Sequence, residues 1–132
     1  MTGAVLADSG PLYAAVDEAD EHYLEARREL EMLDRDRRNV VIPYPILLEA
    51  YSLVLCRLGV AAAHKWIAIL AGASFINPDS EDYGRAVITV QNFPDQRITL
   101  VDATVAALAL RLGLEVWTYD HHFDVMRVPV WR

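Results

Sequence analysis

The sequence has little that would place the protein outside the cytoplasm. Cys56 is the single cysteine among 132 residues, which excludes an internal disulfide bond. No apolar run reaches the roughly 18 residues that a membrane-spanning helix needs. The opening residues MTGAVLADSG lack the basic start and the long apolar stretch of a signal peptide. These absences predict a cytoplasmic protein with no membrane association.

Basic residues are also scarce. The 12 Lys and Arg residues are outnumbered by 19 Asp and Glu residues, and the formal net charge is -7 at pH 7. Because phosphate binding usually needs a surplus of positive charge, this balance argues weakly against a nucleic-acid partner. It does not exclude one, since acidic side chains that converge on divalent cations form a pocket that the metal neutralises.

Apolar residues are abundant, at 54% of the chain. This content is typical of a sheet covered on both faces, or of an apolar surface that a partner covers. Short apolar runs predict strands at residues 4–7, 40–42, 73–76, 115–119 and 128–131. Helical periodicity covers residues 11–38, 46–59, 60–72, 80–93 and 99–112. Strands that alternate with helices predict one α/β domain over residues 1–132, a three-layer α/β/α sandwich with a parallel sheet of four to five strands.

One carboxylate stands out in the predicted helix TLVDATVAALALRLG. The neighbours of Asp102 on the same helix face are Val105, Ala106 and Ala109, so a regular helix would point this side chain toward the core. An unpaired buried carboxylate is costly. Either Asp102 forms a capping box with Thr99 at the helix start, or a cation meets it.

Three further acids share this pattern. Asp8 directly follows the first predicted strand, and Asp120 follows the fourth. Glu49 lies in the apolar helix ILLEAYSLVL, with Leu53 and Cys56 on the same face. In an open parallel sheet, ligands bind beyond the carboxyl ends of the strands. Each acid alone has a structural explanation, since Asp8 and Asp120 could be cap or turn residues and Glu49 could have a partner at the helix edge, but the four acids together favour one site.

Carboxylate clusters suit Mg²⁺ or Mn²⁺, which are hard cations that take oxygen ligands and keep several waters. No Cys/His spacing suggests zinc. Such metals lower the pKa of a bound water and stabilise charge on a departing phosphate oxygen. The chemistry implied is hydrolysis of a phosphodiester.

Four segments together resemble a PIN domain of the VapC type, the ribonuclease toxin of toxin-antitoxin modules: VLADSG, PILLEAYS, TLVDATVAALAL and VWTYDHHFDV. They span nearly the whole chain in the order of the family. The resemblance implies that Asp8, Glu49, Asp102 and Asp120 are the catalytic, metal-binding acids, with Ser9 and Thr118 as polar supports. It also implies Mg²⁺ or Mn²⁺ dependence, an RNA substrate, a homodimer and inhibition by a cognate antitoxin protein.

Some assignments stay open at this level. Asp124 is either a fifth acid of the site or a solvated residue at a helix start, and His121 and His122 are interpreted as turn residues. A catalytically silent PIN fold that binds RNA or protein is the main alternative to an endoribonuclease. An aspartyl-phosphate phosphatase with Asp8 as nucleophile fits poorly, because Gly10 stands where that chemistry usually has a second aspartate.

Overall fold

The computed structural model describes residues 3–132, in which strands and helices alternate. The strands are β1 (Ala4–Ala7), β2 (Asn39–Pro43), β3 (Ser74–Ile76) and β4 (Glu115–Trp117). The helices are α1 (Ser9–Ala14), α2 (Tyr23–Arg35), α3 (Tyr44–Leu58), α4 (Val60–Ile69), α5 (Ser80–Asn92), α6 (Leu100–Leu112) and α7 (His122–Val125). The four strands form one parallel sheet in the order β3-β2-β1-β4, and helices flank it. This architecture confirms the predicted α/β class.

Strand β1 lies at the centre of the sheet. Its residues Ala4–Ala7 are all buried, and it pairs with β2 on one side and with β4 on the other. Val5 lies opposite Val40, and Leu6 lies opposite Val116. A strand buried on both faces has no polar side to present, which explains why its sequence is a continuous apolar run.

The predicted fifth strand at residues 128–131 is reduced to a single parallel bridge between Val130 and Val116. Val116 donates its N–H to the carbonyl of Pro129 and accepts from the N–H of Trp131. Because Pro129 has no N–H, it cannot donate to a longer ladder. The segment therefore runs beside β4 without extending the sheet as a full strand.

The prediction of one helix over residues 11–38 is wrong in its middle. Helix α1 ends at Ala14, and turns connect it to α2, which begins at Tyr23. In these turns the Asp17 carboxylate accepts the N–H of Ala19 at 3.0 Å, and the Asp20 carboxylate accepts the N–H of His22 at 2.8 Å. Aspartate side chains that capture nearby backbone N–H groups compete with helical hydrogen bonding.

Helices α3 and α4 form a hairpin around Gly59, whose φ of 93° lies in the region that favours glycine. The buried sides of the hairpin pack on Tyr13 of α1 and form a second, smaller core with Ala50, Val54, Ala63 and Trp66. The opposite sides expose large apolar residues, among them Leu48 and Ile69. None of the helices in residues 3–132 combines the length and the apolar character needed to cross a membrane.

Helices α5 and α6 pack together across an ion pair between the buried Asp82 and the partly exposed Arg111. The Arg111 guanidinium donates to both carboxylate oxygens of Asp82, at 2.9 and 2.8 Å, and Asp82 is fully buried. Asp82 also forms a capping box with Asp79, in which each side chain accepts the backbone N–H of the other. The guanidinium holds the pKa of the Asp82 carboxyl below its usual value. This contact fixes the start of α5 against α6, the helix that carries Asp102.

Candidate functional site

The four acids singled out in the sequence line one pocket beyond the carboxyl ends of β1 and β4. The pocket has a volume of about 310 Å³. Its walls are formed by Asp8, Ser9, Gly10, Glu49, Thr99, Asp102, Tyr119 and Asp120. These lining residues, all within the described part of the chain, include no Lys or Arg, so no basic side chain of the lining offsets the negative charge.

Asp8 is the most constrained of the four carboxylates. It caps the start of α1, where its Oδ1 accepts the N–H of Ser9 at 2.8 Å, and its Oδ2 accepts the hydroxyl of Thr118 at 2.7 Å. Burial raises the pKa of Asp8 to about 6, and the nearby charges of Glu49 and Asp120 add to this effect, while the two hydrogen bonds oppose it. The side chain is thus held in one orientation although its charge is unfavourable there.

Glu49 reaches the pocket from α3. The Ser9 hydroxyl donates to its Oε1 at 2.5 Å, and Ser9 also provides the N–H that binds Asp8. One residue at the start of α1 therefore orients two of the acids. The apolar sequence around Glu49 packs the rest of α3 into the core, while Glu49 itself is only half-buried.

Thr99 caps α6, but the Asp102 carboxylate does not complete the capping box. The Thr99 hydroxyl caps α6 by accepting the N–H of Asp102 at 3.1 Å. The Asp102 carboxylate instead lines the pocket, where it contacts Asp120. Burial, followed by the charges of Asp8 and Asp120, raises the pKa of Asp102 to about 7. A helix cap alone would not produce this repulsion between carboxylates.

Thr118 connects Asp8, which follows β1, to Asp120, which follows β4. Its hydroxyl donates to Asp8, and it accepts the backbone N–H of Asp120 at 3.0 Å. Asp120 in turn accepts the N–H of His122 at 2.9 Å through Oδ1. The turn after β4 is therefore held by side-chain contacts that run from Asp8 to the start of α7.

The comparisons with known proteins identify the family of the chain. The profile of the PIN domain family matches residues 5–129, nearly the whole chain. The chain belongs to the PIN domain family. None of the curated protein sequences compared with it matches significantly.

Solved structures of toxins share the fold of this PIN domain. VapC20 of Mycobacterium tuberculosis, a sarcin-ricin loop cleaving toxin, superposes with a TM-score of 0.84 at 20% identity, over 97% of this chain and 98% of that one. VapBC2 of Rickettsia felis, bound to a promoter DNA fragment, superposes with a TM-score of 0.74 at 15% identity, over 98% of this chain and 97% of that one. FitAcB of Neisseria gonorrhoeae superposes with a TM-score of 0.68 at 17% identity, over 97% of this chain and 96% of that one. The fold of this PIN domain is thus that of VapC-like proteins.

A wider hollow of about 470 Å³ adjoins the acidic pocket of the PIN domain. Tyr119 and Asp120 line both spaces. The ring of His22 stacks on Tyr119, with centroids 4.5 Å apart. Asp124 lines the wider hollow and not the acidic pocket. Its carboxylate pairs with Arg132 at 2.8 Å. The structure therefore does not bring Asp124 together with the four acids.

Sequence reasoning missed Glu29, because it lies in the charged run EARRELEMLDRDRR, a pattern typical of a solvated helix face. Glu29 accepts the indole N–H of Trp117 at 3.0 Å and the hydroxyl of Tyr119 at 2.6 Å. Burial and this carboxylate raise the pKa of Tyr119 well above its usual value, so Tyr119 stays protonated. Glu29 thus holds Tyr119, whose side chain lines both the acidic pocket and the wider hollow. Its charged surroundings gave no signal, because its partners are 88 and 90 residues away.

The metal-free PIN domain is expected to lose stability as the pH rises from about 4 to about 7. Asp8 and Asp102 have pKa values of about 6 and about 7, against an ordinary value of 3.8. The native state therefore binds more protons than the unfolded state in this range, and stability falls with increasing pH. Thermal unfolding in EDTA at several pH values measures this effect. A melting temperature that rises steadily from pH 4 to pH 7 would contradict it.

Proposed function

We propose that this PIN domain is a divalent-metal-dependent endoribonuclease that acts as the toxin of a toxin-antitoxin pair. The observation that carries the proposal is the convergence of Asp8, Glu49, Asp102 and Asp120 in one pocket without a basic residue in its lining. Four carboxylates in a pocket of this size repel one another. Such an arrangement is costly for a purely structural role, and a divalent cation compensates it.

The donor set fits Mg²⁺ or Mn²⁺. It consists of carboxylate and hydroxyl oxygens only, the ligands that these hard cations prefer. Among residues 3–132, no three of the four carboxylates offer oxygens that all lie within 4.8 Å of one another. This spacing suits an ion that binds one or two carboxylates directly and keeps several waters. When bound, such an ion supplies an activated water and stabilises negative charge on the phosphate oxygens.

The chain's own residues orient the acids. Ser9 holds Asp8 and Glu49 through its N–H and its hydroxyl, and Thr118 holds Asp8 and the backbone of Asp120. These contacts fix the acids before substrate arrives, so little reorganisation is needed in the transition state. Without metal the pKa of Asp102 is about 7, and a divalent cation beside this carboxyl would favour its charged form.

The wider hollow supports a polynucleotide substrate. It opens beside Asp120, and Tyr119, stacked under His22, forms part of its wall. An RNA strand whose scissile phosphate lies at the four acids would place a neighbouring nucleotide in this hollow, where aromatic rings favour base stacking. The fold shared with a toxin that cleaves the sarcin-ricin loop is consistent with RNA as substrate.

Mapping RNA ends in cells tests the proposed activity. After brief expression of the wild type, new 5′ ends should accumulate at a restricted set of sites in cellular RNA. Asp8→Asn, which preserves the shape of the side chain, should give none of them. The same set of new ends with both proteins would show that the four-acid pocket does not carry the activity.

Binding of metal is expected to stabilise the folded protein. A ligand that binds only the native state stabilises it by about 2.7 kcal/mol when its concentration is 100-fold above its Kd. Thermal unfolding with Mg²⁺ or Mn²⁺ against EDTA should therefore show a higher melting temperature. The quadruple variant Asp8→Asn, Glu49→Gln, Asp102→Asn and Asp120→Asn should lose the shift. An equal shift in that variant would place the metal elsewhere.

Exposed apolar surface supports two protein partners. Helices α3 and α4 expose Leu48 (68%) and Ile69 (76%), and α5 and α6 expose Ile88 and Leu110 (57% each). A small monomer rarely exposes this much apolar area on two separate faces. We assign the surface of α2, α3 and α4 to an amphipathic segment of the antitoxin and the α5–α6 face to a second copy of the chain. Solved relatives in complex with antitoxins, such as the toxin-antitoxin complex of Klebsiella pneumoniae (TM-score 0.65, 18% identity, 89% and 87% of the two chains), are consistent with such a partner.

Two matched variants are expected to separate these partners. Ile69→Glu should abolish copurification of the protein encoded by the adjacent gene and leave the chain dimeric. Ile88→Glu should produce a monomer that still binds that protein. Coexpression followed by affinity purification and light scattering measures both outcomes. If the adjacent gene product neither copurifies with the wild type nor suppresses its cleavage, the toxin assignment fails and a free-standing nuclease remains.

A further inference from the structure

Three consecutive residues after β4 place their metal-binding atoms together. The Oδ1 of Asp120 lies 3.8 Å from Nδ1 of His121 and 3.0 Å from Nδ1 of His122. The two imidazole rings are 4.3 Å apart between centroids and tilted by 36°. Within residues 3–132, this is the only set of three His, Cys, Asp or Glu side chains whose ligand atoms all lie within 4.8 Å of one another.

One of these atoms lacks a hydrogen bond. Nδ1 of His122 is buried, and in the part of the chain that the structure covers it is the only buried side-chain nitrogen or oxygen without a hydrogen-bond partner. Its 3.0 Å approach to Asp120 does not have hydrogen-bond geometry. Buried polar atoms in native proteins nearly always have a partner, which can be an ion or a water molecule. An imidazole lone pair beside a carboxylate oxygen is a suitable arrangement for a cation.

The separations of the ligand atoms are close to those of a transition-metal site. Zn–N and Zn–O bonds of about 2.0–2.2 Å at tetrahedral angles separate two ligand atoms by about 3.3–3.5 Å. The observed separations of 3.0 and 3.8 Å lie on either side of this range. Imidazole ligands favour zinc, copper, nickel and related ions, whereas Mg²⁺ prefers oxygen ligands. This donor set therefore differs in chemistry from the four-acid pocket.

We propose that Asp120, His121 and His122 bind a transition-metal dication of the Zn²⁺ type, at a site distinct from the Mg²⁺ or Mn²⁺ site. His121 is exposed and lines the wider hollow, so the ion has a path from solvent. Asp120 lines both the wider hollow and the four-acid pocket. An ion bound at the two histidines therefore withdraws the Asp120 carboxylate from the four-acid pocket. Zn²⁺ binding then inhibits cleavage, a consequence that rests on the proposed function, whereas the binding itself does not.

Cobalt(II) absorption tests the binding without any activity assay. We expect the wild type, stripped of metal with EDTA and then desalted, to bind Co²⁺ with visible d–d bands that Zn²⁺ removes. His121→Ala should bind Co²⁺ at least about tenfold more weakly, because the loss of even an outer-shell partner of a metal costs about 10- to 100-fold in affinity. The exposed His64→Ala, on α4, is the matched control and should bind as the wild type does. His121 is 75% exposed, so its replacement does not endanger the fold.

Two results would overturn the proposal: no Co²⁺ bands with the wild type, or equal affinity in wild type and His121→Ala. The inhibitory consequence is measured separately, in the presence of Mg²⁺. Zn²⁺ should inhibit RNA cleavage by the wild type at concentrations that leave His121→Ala active, and equal inhibition of both would overturn the coupling. If neither protein cleaves RNA, the proposed nuclease function fails while the Co²⁺ result stands on its own.

Discussion

Replacing Asp102 with asparagine is expected to abolish RNA cleavage while the PIN domain stays folded and becomes more stable in the absence of metal. Asparagine preserves the size of the side chain and the backbone N–H that Thr99 caps. It removes a charge that burial, Asp8 and Asp120 all disfavour, as the pKa of about 7 shows. Cleavage should fall at least about 100-fold, the upper end of the cost of losing an outer-shell partner of a metal.

The stabilisation of Asp102→Asn should depend on pH. In the metal-free wild type the raised native pKa costs no stability below about pH 4, where the carboxyl is protonated in both states. The cost grows from about pH 4 to about pH 7 and then levels off. The gain in the free energy of unfolding of Asp102→Asn over the wild type should therefore be greatest above pH 7 and vanish in acid. The exposed Asp95→Asn is a matched control for both stability and cleavage. Near-normal cleavage by Asp102→Asn would exclude Asp102 from the site, and unfolding at ordinary temperature would favour a capping role alone.

Replacing Asp82 with alanine is expected to have the largest effect on stability. The change leaves Arg111 without its bidentate partner at the α5–α6 contact and removes half of the capping box with Asp79. The Arg111 side chain is 33% exposed and can be solvated once its partner is lost, so the free energy of unfolding should fall by about 1.5–3 kcal/mol, the contribution of hydrogen bonds to a charged group. Because the pKa of Asp82 is lowered in the native state, its contribution is present above pH 4 and is lost as the pH falls through the native pKa. The difference in the free energy of unfolding between Asp82→Ala and the wild type should therefore become smaller in acid.

Asp79→Ala is the matched comparison for Asp82→Ala. It removes the cap but keeps the bidentate pair, and the loss of an N-cap costs about 1 kcal/mol. Urea unfolding of both variants at pH 7 measures the difference. An equal, small loss of stability in the two variants would show that the ion pair contributes little.

The sequence predicted those features of the molecule that depend on local pattern. Continuous apolar runs correctly predicted the buried parallel strands, because a strand covered on both faces has no polar side. The acids that now line one pocket could be chosen because a carboxylate on an apolar helix face, or at a strand end, is unusual for its surroundings. The side chain of Asp102 was recognisable for this reason, although its functional role stays a prediction.

Features that depend on distant partners could not be predicted in this way. In the sequence, Asp82 looks like an ordinary acid in the first turn of a helix, and nothing connects it to Arg111, which is 29 residues away. Glu29 is similarly hidden among charged neighbours. The break between α1 and α2 was missed because apolar periodicity does not register the backbone contacts that Asp17 and Asp20 make in the intervening turns.

Cleavage of a synthetic RNA pool by the purified protein tests the central claim most directly. The pool is incubated with Mg²⁺, with Mn²⁺ or with EDTA, and Asp8→Asn is assayed beside the wild type. The account predicts that the wild type cuts RNA only with a divalent ion, that excess Mg²⁺ reverses the inhibition by EDTA, and that Asp8→Asn is inactive with either metal. Cleavage that persists in EDTA, or RNA that the folded wild type binds but leaves intact with both metals, would contradict it.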